Sequence, residues 1–360
     1  MLRKRPDDAA KAVGRILVLR LSSLGDILLT TPILRLLRQH YPGARIDFLL
    51  KAGYEDLLRA HPCVDRLILY GERQTLWQTL QTLRRTRYDI VLDLHRTLRS
   101  HLLYRGLSAR CKLAYNKRPL RRALLVWLGW NTLRAMTSVP ELYAVPLRRL
   151  GIEAPVGGLD MVPSPESREA AREYLEQAFP DARQRPLLAV APGARWATKR
   201  WPVERFRAVA QTLAASRGAA VVVLGGQEDR PLAQEFCTRL DVPVLDSTGQ
   251  LSLMQTAAVL ERCRLLLSND SGLMHMAAAL QVPVVAIFGP TVQEFGFYPF
   301  RARAQVVSVD LACRPCSTKG SACCPRGHHH CMRHVTSTQV LSAAQHMWNR
   351  KGTPHDHSAL

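Results

Sequence analysis

The chain has 360 residues, of which 47% are apolar and 22% charged. At roughly 100–200 residues per domain that makes two domains or one large one, and such a composition excludes wholesale disorder. The formal charge of +21 is unevenly spread: residues 1–150 hold 28 Lys/Arg against 11 Asp/Glu, residues 151–300 hold 14 against 16, and residues 301–360 hold 8 against 2. An excess of this kind draws anions such as nucleic acid, an anionic membrane surface or an acidic substrate. An arginine-rich proteome would raise the total but leaves the asymmetry between the halves unexplained. No run reaches the ~20 apolar residues that span a bilayer, and the first residues lack the apolar core of a signal peptide, so a cytosolic location is expected.

In chain order, short β-branched runs alternate with helical patterns. Strands are expected over 16–21, 45–50, 64–70, 88–94 and 111–115, and again over 187–191, 219–225, 242–245, 264–268, 282–288 and 305–309. Several are continuously apolar, as parallel strands covered on both faces should be. Helices are expected over 31–40, 167–178, 203–217 and 273–280. Two blocks of β-α alternation predict an α/β protein with two doubly wound domains. The Pro- and Gly-rich stretch 151–185 holds the boundary, giving 14–165 and 166–335, with a flexible extension over 1–13 and a flexible tail over 351–360. A C-terminal helix over 336–350 is expected to pack back on the first domain. Segment 120–136, with two Trp among Leu and Val and arginines at its ends, reads as a core helix with exposed arginines or as a membrane-interface helix.

Five loops carry residues suited to chemistry. The first strand ends in Arg20-Leu21-Ser22-Ser23-Leu24-Gly25-Asp26, and then a helix begins. Ser22, Ser23 and Gly25 leave backbone N–H groups there for an anion or a substrate hydroxyl. Asp26 is placed to act as general base towards a hydroxyl, or merely to cap the helix. The loop lacks the G-x-G-x-x-G pattern, which demotes hydride chemistry. In the second half, the loop from Ala191 to Pro202 combines Gly193, Thr198 and Lys199, a glycine, a hydroxyl and an ammonium suited to a diphosphate. Glu228 follows the next strand, where an acidic residue accepts hydrogen bonds from ribose hydroxyls. Asp270, Ser271, Gly272, Leu273 and His275 form a turn running into a small-residue helix, whose first N–H groups and positive dipole end point at the sheet edge. Gly289 and Thr291 line the same rim one strand later.

LVLRLSSLGDILLTTP, PGARWATKRWP, LGGQED and SNDSGLMHMAAAL with VPVVAIFGPT resemble, in order, the motifs of glycosyltransferase family nine, the ADP-heptose:lipopolysaccharide heptosyltransferases, nearest the heptosyltransferase II type. The resemblance covers about residues 14–335. It implies the GT-B architecture, two Rossmann-like domains facing a cleft, and inverting transfer of heptose from ADP-heptose without a required cofactor. It implies Asp26 as catalytic base, Lys199 as the phosphate contact, Glu228 as the ribose contact, and Asp270, Ser271, Gly272 and His275 on the donor loop. The implied acceptor is the polyanionic, Kdo-bearing inner core of lipopolysaccharide, lipid A-linked at the inner membrane surface. That gives the basic first half a purpose, with Lys51, Arg96, Arg99, Lys117, Arg118, Arg121 and Arg122 as candidate contacts. A cytoplasmic monomer, peripheral on the membrane and free of nucleic acid, is expected.

Five of nine cysteines fall close together, Cys313-x2-Cys316-x6-Cys323-Cys324-x6-Cys331, with His328, His329 and His330 among them. Structural zinc, disulfides and free thiols shaping an inserted loop all fit this spacing. Two rival functions stand beside the transferase: a GT-B enzyme with another sugar, nucleotide or acceptor, and a basic, non-enzymatic binder of membrane or nucleic acid. The second predicts steeply salt-dependent binding without turnover, and leaves the donor motifs unexplained.

Overall fold

The computed structural model describes residues 13–71, 74–133 and 137–350. The extension expected before residue 13 and the tail over 351–360 lie outside them. All eleven expected strands form, their ends shifted by no more than two residues. The first five are β1 (Arg15–Leu19), β2 (Arg45–Lys51), β3 (Arg66–Tyr70), β4 (Tyr88–Asp93) and β5 (Ala109–Ala114). They make a parallel sheet of order β3-β2-β1-β4-β5. The other six are β6 (Leu187–Ala191), β7 (Ala220–Val223), β8 (Val244–Asp246), β9 (Leu265–Asn269), β10 (Val284–Ile287) and β11 (Ala304–Val307). Their sheet, also parallel, runs β11-β10-β9-β6-β7-β8. Both orders are those of Rossmann sheets, in which the connections reverse direction beside the first strand. The reversal falls between β1 and β4 in one sheet and between β6 and β9 in the other. Ligands of open α/β sheets bind at such points.

The helices follow from local signals. Those of five or more residues in the first half are α1 (Leu24–Leu28), α2 (Thr31–His40), α3 (Leu76–Arg84), α4 (Leu98–Gly106), α5 (Pro119–Leu128) and α6 (Val139–Ala144). In the second they are α7 (Pro165–Ala178), α8 (Val203–Arg217), α9 (Arg230–Cys237), α10 (Leu253–Glu261), α11 (Gly272–Ala279) and α12 (Ser337–Asn349). Reciprocal N-terminal caps start several of them: at α12 the Thr336 hydroxyl accepts the Gln339 N–H while the Gln339 side chain accepts the Thr336 N–H.

Strand alternation sorts the core. On β1, Ile16 and Val18 join a large cluster that includes α1, α2 and α6 and continues to α7, α10 and α11 of the second half. Leu17 and Leu19 point the other way, towards α3 and α4. A further cluster lies on the second sheet beneath α8 and α12. The segment 151–164 between the sheets has no helix or strand. It is pinned to α2 where Arg35 meets Asp160 at 2.5 Å and the Thr31 hydroxyl accepts the Asp160 N–H at 2.9 Å.

Two packing expectations are corrected. Helix α12 does not cross back to the first sheet. It buries Val340, Ala343, Ala344, Met347 and Trp348 against the second sheet, with Arg264 donating to the Trp348 carbonyl. Helix α5 is not a core helix, because Leu125 is its one buried residue. The end of that expected segment, 134–136, lies outside the described residues.

Candidate active site

The site is assembled where both sheets reverse. Behind β1, the chain turns through Arg20–Ser23 into α1, so Asp26 stands one turn into a helix at the sheet's carboxyl edge. Its Oδ2 accepts the Ser23 N–H at 3.3 Å and hydroxyl at 2.9 Å, and its Oδ1 lies 2.6 Å from Arg20 Nη2. The Arg20 side chain is 6% exposed and that of Asp26 24%, so the carboxylate is the member of the pair that reaches solvent. Arg20 is held by three further contacts: Nε donates to the Ser22 carbonyl, and Nη1 to the Leu94 carbonyl and the Tyr143 hydroxyl. The bond to Leu94, just past β4, ties the two loops that flank the reversal. Burial would raise the pKa of Asp26, but Arg20 and the Ser23 hydrogen bonds outweigh it and hold the carboxyl below the usual aspartate range. Asp26 is therefore ionised at neutral pH.

Around this pair the first half gathers more titratable groups. Burial, with Arg20 and Lys117 nearby, pushes His95 down to about 3, and its Nδ1 has no partner among the described residues. Burial and Arg20 lower Lys117 to about 8, against the pull of Asp26 and Asp93. Lys51, Arg96, Arg99 and Arg121 are exposed, and Arg118 is half-buried. Arg122 joins the halves: its Nη2 donates to the Phe295 carbonyl at 2.9 Å and its guanidinium lies over the Phe295 and Phe297 rings, while it stays within electrostatic reach of Asp26.

The second half presents the opposite arrangement. Lys199 follows β6 and Asp270 follows β9; Lys199 Nζ and Asp270 Oδ2 are 2.5 Å apart across that sheet's reversal. The Thr291 hydroxyl donates to the same Asp270 oxygen at 2.9 Å. Here the cation is the more exposed member, at 14% against 7%. Asn269 fastens the lysine loop, accepting the Trp201 N–H and donating to the Pro192 carbonyl. Ser271 stands at the N-cap of α11, its hydroxyl 3.1 Å from that of Ser268; Gly272 opens the helix and Leu273 is half-buried. Glu228 is exposed beyond β7. A Cβ on Gly193 would collide with the Asp229 carboxylate, so this glycine admits Asp229 to the loop.

Thr198 and Gly289 do not face the opening. The Thr198 hydroxyl donates to the Ser321 carbonyl and accepts the Ser321 N–H, and a Cβ on Gly289 would strike Met332 at 2.5 Å. Thr198 thus holds the cysteine-rich loop, and Gly289 makes room for Met332 just beyond it. That loop carries free thiols; all nine cysteines are unpaired. Among the described residues no group of three or more His, Cys, Asp or Glu is placed to hold a metal, so the zinc and disulfide readings find no support.

The halves meet at α1 and α11. A Cβ on Gly25 would lie 2.5 Å from His275 Cδ2, and one on Gly272 would lie 3.0 Å from Leu24 Cδ2, so both glycines permit the approach. His275 is 5% exposed, and its Nδ1 has no partner among the described residues. Burial lowers its pKa, while Asp270 and Asp26 oppose the shift and Lys199 adds to it. A neutral imidazole therefore sits within electrostatic reach of the Asp26 carboxylate on one side and the Lys199–Asp270 pair on the other.

Of the residues expected from sequence, the structure brings together Ser23, Gly25, Asp26, Lys199, Asp270, Gly272, His275 and Thr291, with Ser22 and Ser271 adjoining. Arg20, Tyr143 and His95 were missed as site residues. For Arg20 the signal was a charge closing an otherwise apolar strand, since such a buried charge needs a partner.

The model of glycosyltransferase family 9 (heptosyltransferase) matches residues 76–325. Lipopolysaccharide heptosyltransferase 1 of Pseudomonas aeruginosa is 33% identical over 331 residues, covering 85% of this chain and 86% of that protein. Lipopolysaccharide heptosyltransferase 2 of Escherichia coli is 28% identical over 346 residues, covering 91% and 96%. Relatives of both types thus match, and neither type is singled out. Among solved structures, a family 9 glycosyl transferase from Veillonella parvula superposes with a TM-score of 0.76 at 24% identity, covering 93% of this chain and 97% of that one. Escherichia coli ADP-heptose lps heptosyltransferase II gives 0.73 at 23%, covering 93% and 98%. The fold is thereby the GT-B architecture of these transferases. The chain belongs to glycosyltransferase family 9, the heptosyltransferases.

Proposed function

We propose that this protein moves a heptose from ADP-heptose to the inner core of lipopolysaccharide, with inversion at the anomeric carbon. The observation that carries the mechanism is a pair of clamped charges, the Asp26 carboxylate of the first half and the Lys199 ammonium of the second, both within electrostatic reach of His275. Asp26 accepts the proton of an acceptor hydroxyl as that oxygen bonds to the anomeric carbon. The bond from that carbon to the diphosphate breaks, and its electron pair leaves on ADP. Lys199 offsets the charge that develops on the departing diphosphate, and the first N–H groups of α11 face the same charge. Glu228 is the ribose contact at the outer end of the donor site. His275 stays neutral and adds no charge to the path. Lys51, Arg96, Arg99, Lys117, Arg118 and Arg121 supply the positive face for a phosphorylated, Kdo-bearing acceptor that remains lipid-linked at the inner membrane surface. The enzyme works there as a peripheral monomer.

Calorimetric titration of ADP, UDP and GDP into the full chain tests the donor side. Binding preferentially to ADP is expected, and preference for another nucleoside diphosphate would keep the fold and overturn the donor. Transfer from ADP-heptose to inner-core acceptors that lack or carry the first heptose then identifies the step.

A further inference from the structure

Helix α5 is apolar on two sides, and only one of them is covered. Its inner side, Leu125 and Val126 with Arg122, packs on Phe295 and Phe297 of the second half. Its outer side leaves Leu120 79%, Trp127 81% and Leu128 54% exposed, and Trp130 just beyond is 63% exposed. These are four of the nine large apolar side chains exposed among the described residues, and all lie within eleven positions. Two more, Leu98 and Leu102, stand on α4, which leaves the neighbouring strand β4. Soluble surfaces rarely group large apolar side chains in this way.

The surrounding charge says what covers the patch. Residues 94–140 contain ten Lys/Arg and no Asp or Glu. A second copy of the same surface would bring like charges together and is disfavoured. An anionic bilayer satisfies both features, taking Leu and Trp at the depth of the headgroups and attracting the arginines electrostatically. No described helix is long and apolar enough to cross a membrane, so the contact is parallel to the surface. The patch also begins beside the chemistry. Lys117, two residues before α5, lies near enough to Asp26 and Asp93 to feel both charges.

We propose that the outer side of α5, with Trp127 and Trp130 as its anchors, is the surface by which this enzyme docks on an anionic phospholipid leaflet. Docking there sets the first sheet's carboxyl edge against the headgroups, so a lipid-linked acceptor reaches Asp26 without leaving the bilayer. This rests on the transferase reading for its purpose, though the surface itself does not depend on it.

The test is flotation of the full chain with phosphatidylglycerol-containing vesicles and with pure phosphatidylcholine vesicles, for wild type and Trp127→Ser/Trp130→Ser. Both side chains are exposed, so the double variant should fold, and ADP calorimetry on each protein checks that it does. The expected result is wild-type binding to the anionic vesicles, with partition of the double variant reduced at least about tenfold and ADP affinity unchanged. Equal flotation of the two proteins overturns the proposal. So does a wild type that binds neither vesicle, or one that sedimentation shows to be a dimer broken by the double substitution. Loss of binding to a single-stranded oligonucleotide in the double variant, with vesicle binding intact, would reassign the patch to nucleic acid and overturn it too. If wild type floats but binds no nucleoside diphosphate, the transferase reading fails while the docking surface stands.

Discussion

The two halves of the molecule solve opposite problems with the same device. Each Rossmann sheet places an ion pair where its connections reverse, and in each pair one member is sunk deeper in protein while the other is the more exposed. In the first half the sunk member is Arg20 and the presented one Asp26, whereas in the second the sunk member is Asp270 and the presented one Lys199. A buried partner costs desolvation but fixes the presented group in position and in charge state. The fold is thus indifferent to the sign of the charge it displays. The sign alone separates a sheet edge suited to taking a proton from one suited to a leaving phosphate.

Removing a presented charge should have the largest effect. Asp26→Ala should lower the transfer rate by about 10³-fold, within the range for loss of a positioned general base, with ADP affinity unaltered. Steady-state kinetics paired with calorimetry decide this, and a variant that keeps full turnover ends the base assignment. Removing the sunk member of the same pair acts differently. Arg20→Met leaves a half-buried carboxylate without its cation, at a cost of about 3–5 kcal/mol in denaturant unfolding. Burial is already the largest single influence on Asp26, and with Arg20 gone its main opponent is lost and the pKa rises, so the acid limb of the rate profile should move to higher pH. An unmoved limb would mean that Arg20 only braces the loops.

On the second sheet, Lys199→Ala should weaken ADP binding by about 10–100-fold, the value of a charge-assisted hydrogen bond. Asp270→Asn should weaken it less, because the ammonium remains but is no longer held. Equal losses would show that Asp270 itself touches the ligand. The meeting of the halves is probed by Gly25→Ala, whose new methyl enters the space of His275. Overpacking of this kind costs about 1–3 kcal/mol, and kcat/KM should fall because the cleft cannot close fully. The smallest effect concerns Lys117. Its ammonium loses its proton as pH rises through about 8, so the KM for an anionic acceptor should climb above that pH while ADP affinity holds. In Lys117→Met that rise should disappear.

Much of this was open to reading in the primary structure because it is local. Strand runs and helix caps depend on neighbours a few residues away, so all eleven strands and the loops bearing Asp26, Lys199 and Asp270 could be located without coordinates. The motifs carried the family as well. Side chains whose partners lie far along the chain could not be placed that way. Arg20 meets Tyr143 across 123 positions, and Arg122 meets Phe295 across 173. The Thr198 hydroxyl looked like a ligand contact, and both of its hydrogen bonds go to Ser321, 123 positions away. Helix α5 reads the same whether its outer side is covered or bare, since hydrophobic periodicity reports which residues seek burial and not whether a neighbour arrives to provide it. Local chemistry thus named the groups and their loops. Long-range packing chose which of them stand at the cleft, because pairing, burial and exposure exist only once distant segments meet.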